Sequence, residues 1–549
     1  MTKHPILYEI NTRCWLNELT RREGESITLN NVPEAELGRW EGLGFTHVWL
    51  MGVWSSGPRA RAEALTNRDL RQHYSEVLPD WREEDVAGSP YAIADYEVPP
   101  NLGGNDGLQE FRTRLHARGL KLILDFVPNH LGLDHRWLRE RPELFVQSPV
   151  EVPGTFPQQT AAGVRWLAYG KDPYFPPWTD TVQLDYRLAA TRAAMADLLR
   201  AVASRCDGVR CDMAMLVLNE VFARTWGRLP GANQQPPSSE FWSEAISAVK
   251  RGRPDFLFLA EAYWGLEGRL RELGFDYAYD KTLYDKLVSR DAAGVQQHLL
   301  AAQGCEREQG RGQTVEDGGE RLLTSSPTEV TSSVENIGER LLTSSPTEVA
   351  SSPTEDATSN CLCGGGHLLE NHDEPRIASL FSPAEQRAAA LLILGLPGLR
   401  FLHEGQLSGA RIRVPVQLLR RPAEPNQPEI ERMYEQLLTA LRRTGVGEGT
   451  GTVLVPCPAW PDNPTAQNIV AIQWRKEGSR FELSVTNLAP HRSQCYVPLR
   501  IPEPTLKPWG MKDLLGSEEY LRSGAELRSP GLYLDLGPHA AQLFQFESR

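Results

Sequence analysis

Leu120-Lys-Leu-Ile-Leu-Asp125-Phe-Val-Pro-Asn129-His130 is apolar for most of its length and closes on three polar side chains, Asp125, Asn129 and His130. A strand buried on both faces needs such a run, because neither face meets water. The polar side chains then gather where the strand leaves the core. In a barrel of parallel strands that end carries the active site. Taken alone, the stretch reads equally well as a core strand with a polar exit, so its surroundings decide.

Upstream, residues 6–10 form a short apolar strand, and Pro33 suits a first helical position ahead of Leu37, Trp40 and Leu43 on one helix face. Residues 45–54 read as a second strand. A long loop with Arg59, Arg61, Tyr91, Asp95 and Tyr96 follows. The next helix puts Leu108, Phe111 and Leu115 on one face and stops at Gly119, which can take a left-handed cap. Strand alternating with helix implies parallel pairing through crossovers. Downstream, an irregular insertion rich in Pro and Trp precedes a helix bearing Met195, Leu198, Leu199 and Val202. Further strands are expected at 206–212, 256–261, 275–279, 367–370 and 399–402, with a helix at 241–250. Eight strands close a (β/α)8 TIM barrel.

Beyond the barrel, Ile430, Met433, Tyr434, Leu437, Leu438 and Leu441 mark an amphipathic helix, and 445–451 is a glycine-rich joint. Short runs at 469–474, 481–485, 532–536 and 541–546 alternate with turn signals, which predicts an antiparallel β-sandwich. The fold expected is therefore α/β: a TIM barrel with a short insertion after strand 3 and a C-terminal sandwich. The expected divisions are 1–130, 188–303 and 364–445 for the barrel, 131–187 for the insertion and 446–549 for the sandwich. Between strands six and seven, 304–363 has another character. Glu-Arg-Leu-Leu-Thr-Ser-Ser-Pro-Thr-Glu-Val occurs at 320–330 and again at 339–349. Two polar copies are too few for a solenoid, and such a composition cannot bury enough apolar surface to offset its ordering entropy. The segment is read as a disordered surface insertion rather than a binding arm, and its deletion is expected to leave folding and activity largely intact.

The formal charge of −13, from 71 acidic against 58 basic residues, argues against a nucleic-acid groove or an anionic membrane as partner. The first residues lack a signal peptide's apolar core, and no stretch is long enough to cross a bilayer. Eight cysteines are scattered, with only Cys361 and Cys363 close, a poor zinc signal. Free thiols in a cytoplasmic location are expected.

Four stretches end or follow strands and each bring an acid to the same rim: Asp125-Phe-Val-Pro-Asn-His130, Gly208-Val-Arg-Cys-Asp212, Leu259-Ala-Glu261 and Glu370-Asn-His-Asp373, the last with two acids. Crowded carboxylates need cations and hydrogen bonds. Arg210, two residues before Asp212, faces the same side of its strand and can hold Asp212 ionised.

In this order the four stretches resemble the signature regions of the alpha-amylase family, glycoside hydrolase family 13. The resemblance covers the barrel, its insertion and the sandwich, but not the repeats. It implies a retaining mechanism on α-linked glucosides, with Asp212 as nucleophile, Glu261 as general acid/base and Asp373 as the third acid. A retaining pair needs carboxyl groups about 5 Å apart, one ionised and one protonated. Apolar company would keep Glu261 protonated. His130 and His372 match hydroxyl-binding histidines, Asp125 a positioning acid, and Tyr91 a tyrosine on which the reacting sugar stacks. The bland alternative for Tyr91 is packing. Asn129 matches a calcium ligand of many relatives, so calcium is considered beside a reading with no required cofactor; further oxygen ligands are not evident. Where the family often carries Lys-His, this chain has Met215 and Leu216, which cannot donate hydrogen bonds to sugar hydroxyls.

The leading expectation is an enzyme acting on an α-glucan, oligosaccharide or disaccharide, as hydrolase, transglycosylase or disaccharide isomerase. Competing classes are a catalytically silent carbohydrate-binding scaffold and a metal-dependent barrel hydrolase.

Overall fold

The computed structural model describes residues 4–161, 163–229, 237–309, 362–476, 480–501 and 508–549, the side chains of 305–309 excepted. Eight strands, β1 (Ile6–Asn11), β2 (His47–Met51), β3 (Lys121–Phe126), β4 (Gly208–Cys211), β5 (Leu257–Ala260), β6 (Tyr277–Tyr279), β7 (Gly365–His367) and β8 (Leu399–His403), pair in parallel. They close in sequence order, β8 against β1. Helices at Glu34–Leu43, Gly104–His116, Ala189–Arg205 and Phe241–Lys250 supply crossovers at the expected positions.

Successive side chains of a strand alternate between faces, so every second residue points into the barrel. Leu7, Trp49, Met51, Ile123, Leu257, Leu259, Tyr279, Leu368, Leu399 and Phe401 fill that interior as one buried cluster. One step further along the same alternation stand Glu9, Asp125, Arg210, Glu261 and His403. All five are buried. Register sets Arg210 beside Asp125, and Glu9 beside both Trp49 and His403. An apolar plug thus lies directly under a charged layer. At Gly208 a Cβ would meet Ile123 Cδ1 and the Leu257 carbonyl oxygen, each at 2.6 Å, so only glycine lets β4 sit at that depth.

The seventh strand departs from the sequence reading. It occupies Gly365–His367 rather than 367–370, because consecutive glycines present no apolar run to mark a strand. The loop after β2 is also more ordered than expected, with helices at Pro58–Thr66 and Arg68–Val77. The insertion after β3 holds a three-stranded antiparallel sheet built from Gln147–Ser148, Gly163–Ala168 and Thr155–Thr160. His130–Gly132 pairs separately with Thr181–Gln183.

The repeats, and with them the expectation of disorder, lie at 310–361, outside the described residues. The edges of the expected insertion are ordered: Gly304 belongs to the helix Ala292–Gln309, and Leu362 is buried.

C-terminally, a six-stranded and a three-stranded antiparallel sheet share a core that includes Ile469, Leu483, Val497, Leu534 and Phe546. This is the sandwich. Several hydrogen bonds tie it to the barrel, among them those of Gln296, Gln303 and Trp474. Trp474 Nε1 donates to the Gly395 carbonyl (2.7 Å). The Gln303 amide donates to the Val453 carbonyl (2.9 Å) and accepts from its N–H (2.6 Å). Val453 lies on Thr450–Leu454, the edge strand of the larger sheet.

Candidate active site

Arg210 is the hub of the charged layer. Its Nη1 donates to Asp212 Oδ1 (2.7 Å), and its Nη2 lies 2.7 Å from Glu261 Oε2. Nη1 is also 3.6 Å from Asp125 Oδ1. The guanidinium sits over Trp49, Tyr91 and Tyr279, with ring centroids 5.3, 5.2 and 5.9 Å away. Aromatic faces attract a cation that burial has stripped of water. Those partners hold its pKa well above the ordinary value although burial acts to lower it.

Three acids on one cation leaves charge to spare. Burial raises Asp125 to about 7 against the opposing pull of Arg210. It raises Glu261 to about 7 as well, again opposed by Arg210 and reinforced by Asp212. Asp212 is also raised by burial, offset by its ion pair and hydrogen bond with Arg210. Glu261 is therefore not in the apolar company that the sequence suggested. Besides Arg210 it accepts from Tyr263 Oη at Oε1 (2.9 Å) and from the Met213 N–H at Oε2 (2.6 Å). Burial, not an apolar shell, raises it. Met213 delivers its N–H from a left-handed backbone (φ 42°, ψ 47°). That conformation is costly for a residue with a side chain, and such residues concentrate at working sites.

On the opposite arc, His372 Nδ1 lies 2.5 Å from Glu9 Oε1, while Nε2 lies 2.7 Å from Tyr91 Oη and 3.0 Å from Asp373 Oδ2. The Tyr91 ring stacks on the imidazole, centroids 5.4 Å apart and planes 20° apart. Packing thus occupies one face of Tyr91. Asp373 is exposed at the mouth of the cleft. Although desolvation acts to raise it, His372 brings its carboxyl down to about 2, with Arg210 and Arg413 assisting. Arg413 Nη1 also donates to the Asp373 carbonyl (2.9 Å).

His130 is buried, its neutral form favoured by a pKa of about 4 from burial. Its described contacts are with the Trp178 ring, Asn129 and the Tyr91 backbone, not with the acids. Asn129 Oδ1 accepts from Gln183 Nε2 (2.9 Å). Calcium takes about six to eight oxygens, and among the described residues no group of three or more His, Cys, Asp or Glu is placed to share an ion. With its Oδ1 engaged by Gln183, Asn129 is not assigned to calcium. Met215 and Leu216 lie 0% and 3% exposed in the core, in the turn Ala214–Val217, and offer no donor to the cleft. Apolar side chains there do not line the cleft. Glu9, Tyr263, Tyr279, His403 and Arg413 were missed. For Glu9 a signal existed, a lone acid inside an apolar strand.

Residues 37–280 match the family model described as Alpha amylase, catalytic domain. The chain is 19% identical over 429 residues to Alpha-amylase 3 of Dictyoglomus thermophilum, covering 76% of this chain and 67% of that protein. It is 25% identical over 283 residues to the alpha-1,4-glucan:maltose-1-phosphate maltosyltransferase of Bifidobacterium longum, covering 48% of this chain and 32% of that protein. The chain thus spans about two thirds of the first relative and a third of the second. A maltogenic alpha-amylase structure from Thermotoga neapolitana superposes with a TM-score of 0.61 at 17% identity, covering 99% of this chain and 98% of that one. An alpha-amylase structure from Geobacillus thermoleovorans does so at 0.60 and 17%, with 99% and 98% covered. Likenesses at that identity show the fold.

Proposed function

We propose that this protein, whose residues 37–280 match the alpha-amylase catalytic-domain model, acts as a member of glycoside hydrolase family 13 and cleaves or transfers α-linked glucosyl groups through a covalent glycosyl-enzyme. One observation carries the reading: a single buried guanidinium bridges Asp212 and Glu261 at 2.7 Å each, while Glu261 is raised to about 7. A retaining pair requires a close ionised nucleophile and a carboxyl able to hold a proton.

In the first step an Asp212 carboxylate oxygen bonds to the anomeric carbon as Glu261 gives its proton to the glycosidic oxygen. The carbon–oxygen bond breaks and the leaving sugar departs with that proton. In the second step Glu261 takes a proton from an acceptor hydroxyl, whose oxygen bonds to the anomeric carbon and frees Asp212. Asp373, ionised and exposed, accepts hydrogen bonds from sugar hydroxyls at the cleft mouth.

Water as acceptor gives hydrolysis; a second sugar gives transfer. The two share every residue named here, and the relatives' names include both an amylase and a maltosyltransferase. Incubation with maltoheptaose, followed by product sizing and anomer-resolved NMR, tests the reading. Retained α-configuration is expected; inversion, or no turnover on any α-glucan, overturns it. Longer products mark transfer. A cytoplasmic location belongs to the same proposal, supported by the buried free thiols Cys14, Cys206 and Cys211. Cell fractionation finding the chain outside the cytoplasm would refute it.

A further inference from the structure

The ring of His372 faces carboxylate oxygens at both nitrogens, Glu9 Oε1 at 2.5 Å and Asp373 Oδ2 at 3.0 Å. A neutral imidazole has one N–H, so it would set a lone pair against one of those oxygens. A doubly protonated ring satisfies both. Behind Glu9 the same logic fixes a second histidine. Arg376 Nη1 lies 2.8 Å from His403 Nδ1 and has only protons to offer, so Nδ1 accepts. The His403 proton therefore sits on Nε2, which faces Glu9 Oε2 at 3.9 Å. That Oε2 is buried with no hydrogen-bond partner. Arg376 is in turn held by Glu370 Oε1 (2.7 Å) and the Glu404 carbonyl (2.6 Å).

We propose that Glu9 is a positioning residue of the site: its carboxylate holds His372 doubly protonated, so that the ring presents an N–H to Asp373 and Tyr91. The groups facing His372 are Glu9 from β1, Tyr91 from the loop after β2, Asp373 from its own loop and His403 from β8, with Asp125 and Asp212 coupled to it through space. In keeping with this, Asp373 and Glu9 hold the His372 pKa well above the ordinary histidine value although burial acts to lower it. The device puts a cation on the arc of the rim that Arg210 does not span. It rests on the reading of Asp373 as a substrate-gripping acid.

The test is a pH titration of histidine side chains by 15N NMR on the full chain, with His372 assigned through His372→Gln. In the native protein the ring is expected to be doubly protonated at pH 7, where an unperturbed histidine is mostly neutral. In Glu9→Gln, which keeps an acceptor but removes the charge, proton affinity should fall at least about tenfold, one pH unit in midpoint. Turnover of maltoheptaose should fall with it, and the alkaline limb of kcat/KM should steepen as a second proton is lost. A native ring already neutral at pH 7, or a midpoint unmoved in Glu9→Gln, overturns the proposal. If Glu9→Gln does not fold, the native titration alone decides. If the native chain turns over no α-glucan, the functional reading falls while the titration still judges Glu9.

Discussion

Across β3, β4 and β5, three carboxylates share the one guanidinium of Arg210; across β7, β8 and β1, contacts run from Asp373 through His372, Glu9, His403 and Arg376 to Glu370. Acids therefore outnumber cations on the first arc, and burial wins: Asp125 and Glu261 rise to about 7. On the second arc Asp373 falls to about 2 beside its histidine. Carboxyls are thus set for opposite tasks by the balance each one meets between burial and its cations; Glu370, deeply buried on the second arc, is raised despite Arg376. The first arc can hold a proton near neutrality, and the second keeps a permanent anion.

The hardest break is Asp212→Asn, which removes the nucleophile. Turnover of maltoheptaose, followed by reducing-end release, should fall by at least about 10⁴-fold, ~5 kcal/mol of barrier. Next comes Arg210→Met. It leaves three buried acids without their cation, and a broken buried pair costs about 3–5 kcal/mol, read from urea unfolding at pH 7. A variant as stable as the native chain would dissolve the contrast between the arcs.

pH sharpens the comparison. Glu261 must be protonated to act as acid, so kcat/KM should fall about tenfold per unit above pH ~7. Stability moves oppositely for the acids that burial raises, Glu370 of the second arc among them, and for Asp373. Asp125 and Glu261 bind protons more tightly when folded, so stability rises as pH falls from about 7 toward the ordinary carboxylate range. Asp373 binds its proton less tightly when folded. Its contribution is present above the ordinary carboxylate value and is lost as pH falls through about 2. Urea midpoints measured across pH 2–8 should therefore pass through a maximum on the acid side.

Smaller effects come from Tyr263→Phe and from the repeats. Losing the 2.9 Å bond to Glu261 should cost about 1 kcal/mol, a roughly fivefold drop in kcat. Replacing 310–361 by a short Gly-Ser linker should leave kcat and unfolding midpoint unchanged. Cutting 304–363 also removes the buried Leu362 and should lower the midpoint.

Much of the first arc was legible in the chain. Asp125, Arg210, Asp212 and Glu261 stand at or just past the ends of apolar runs, and period-two alternation puts Arg210 and Asp212 on one face. The second arc was only half legible, for a geometric reason. Glu9 and His372 are 363 residues apart, and only closure of β8 onto β1 brings them together. No local window contains both. β7 was displaced in the reading because glycines carry no hydrophobic signal. That Met215 and Leu216 pack in the core was not legible either: the left-handed turn at Met213 precedes them. A single backbone dihedral of that sort leaves no mark in composition.

The paired bonds between Gln303 and Val453 bear on modularity. A side-chain amide there occupies the donor and acceptor that a neighbouring strand would use, at the outer strand of the larger sheet. Exposed strand edges invite pairing with other chains, and this glutamine closes that edge at Val453. The sandwich is consequently not a freely portable unit. Grafted onto another barrel, it would carry an open edge unless the new host supplied an amide at the same height.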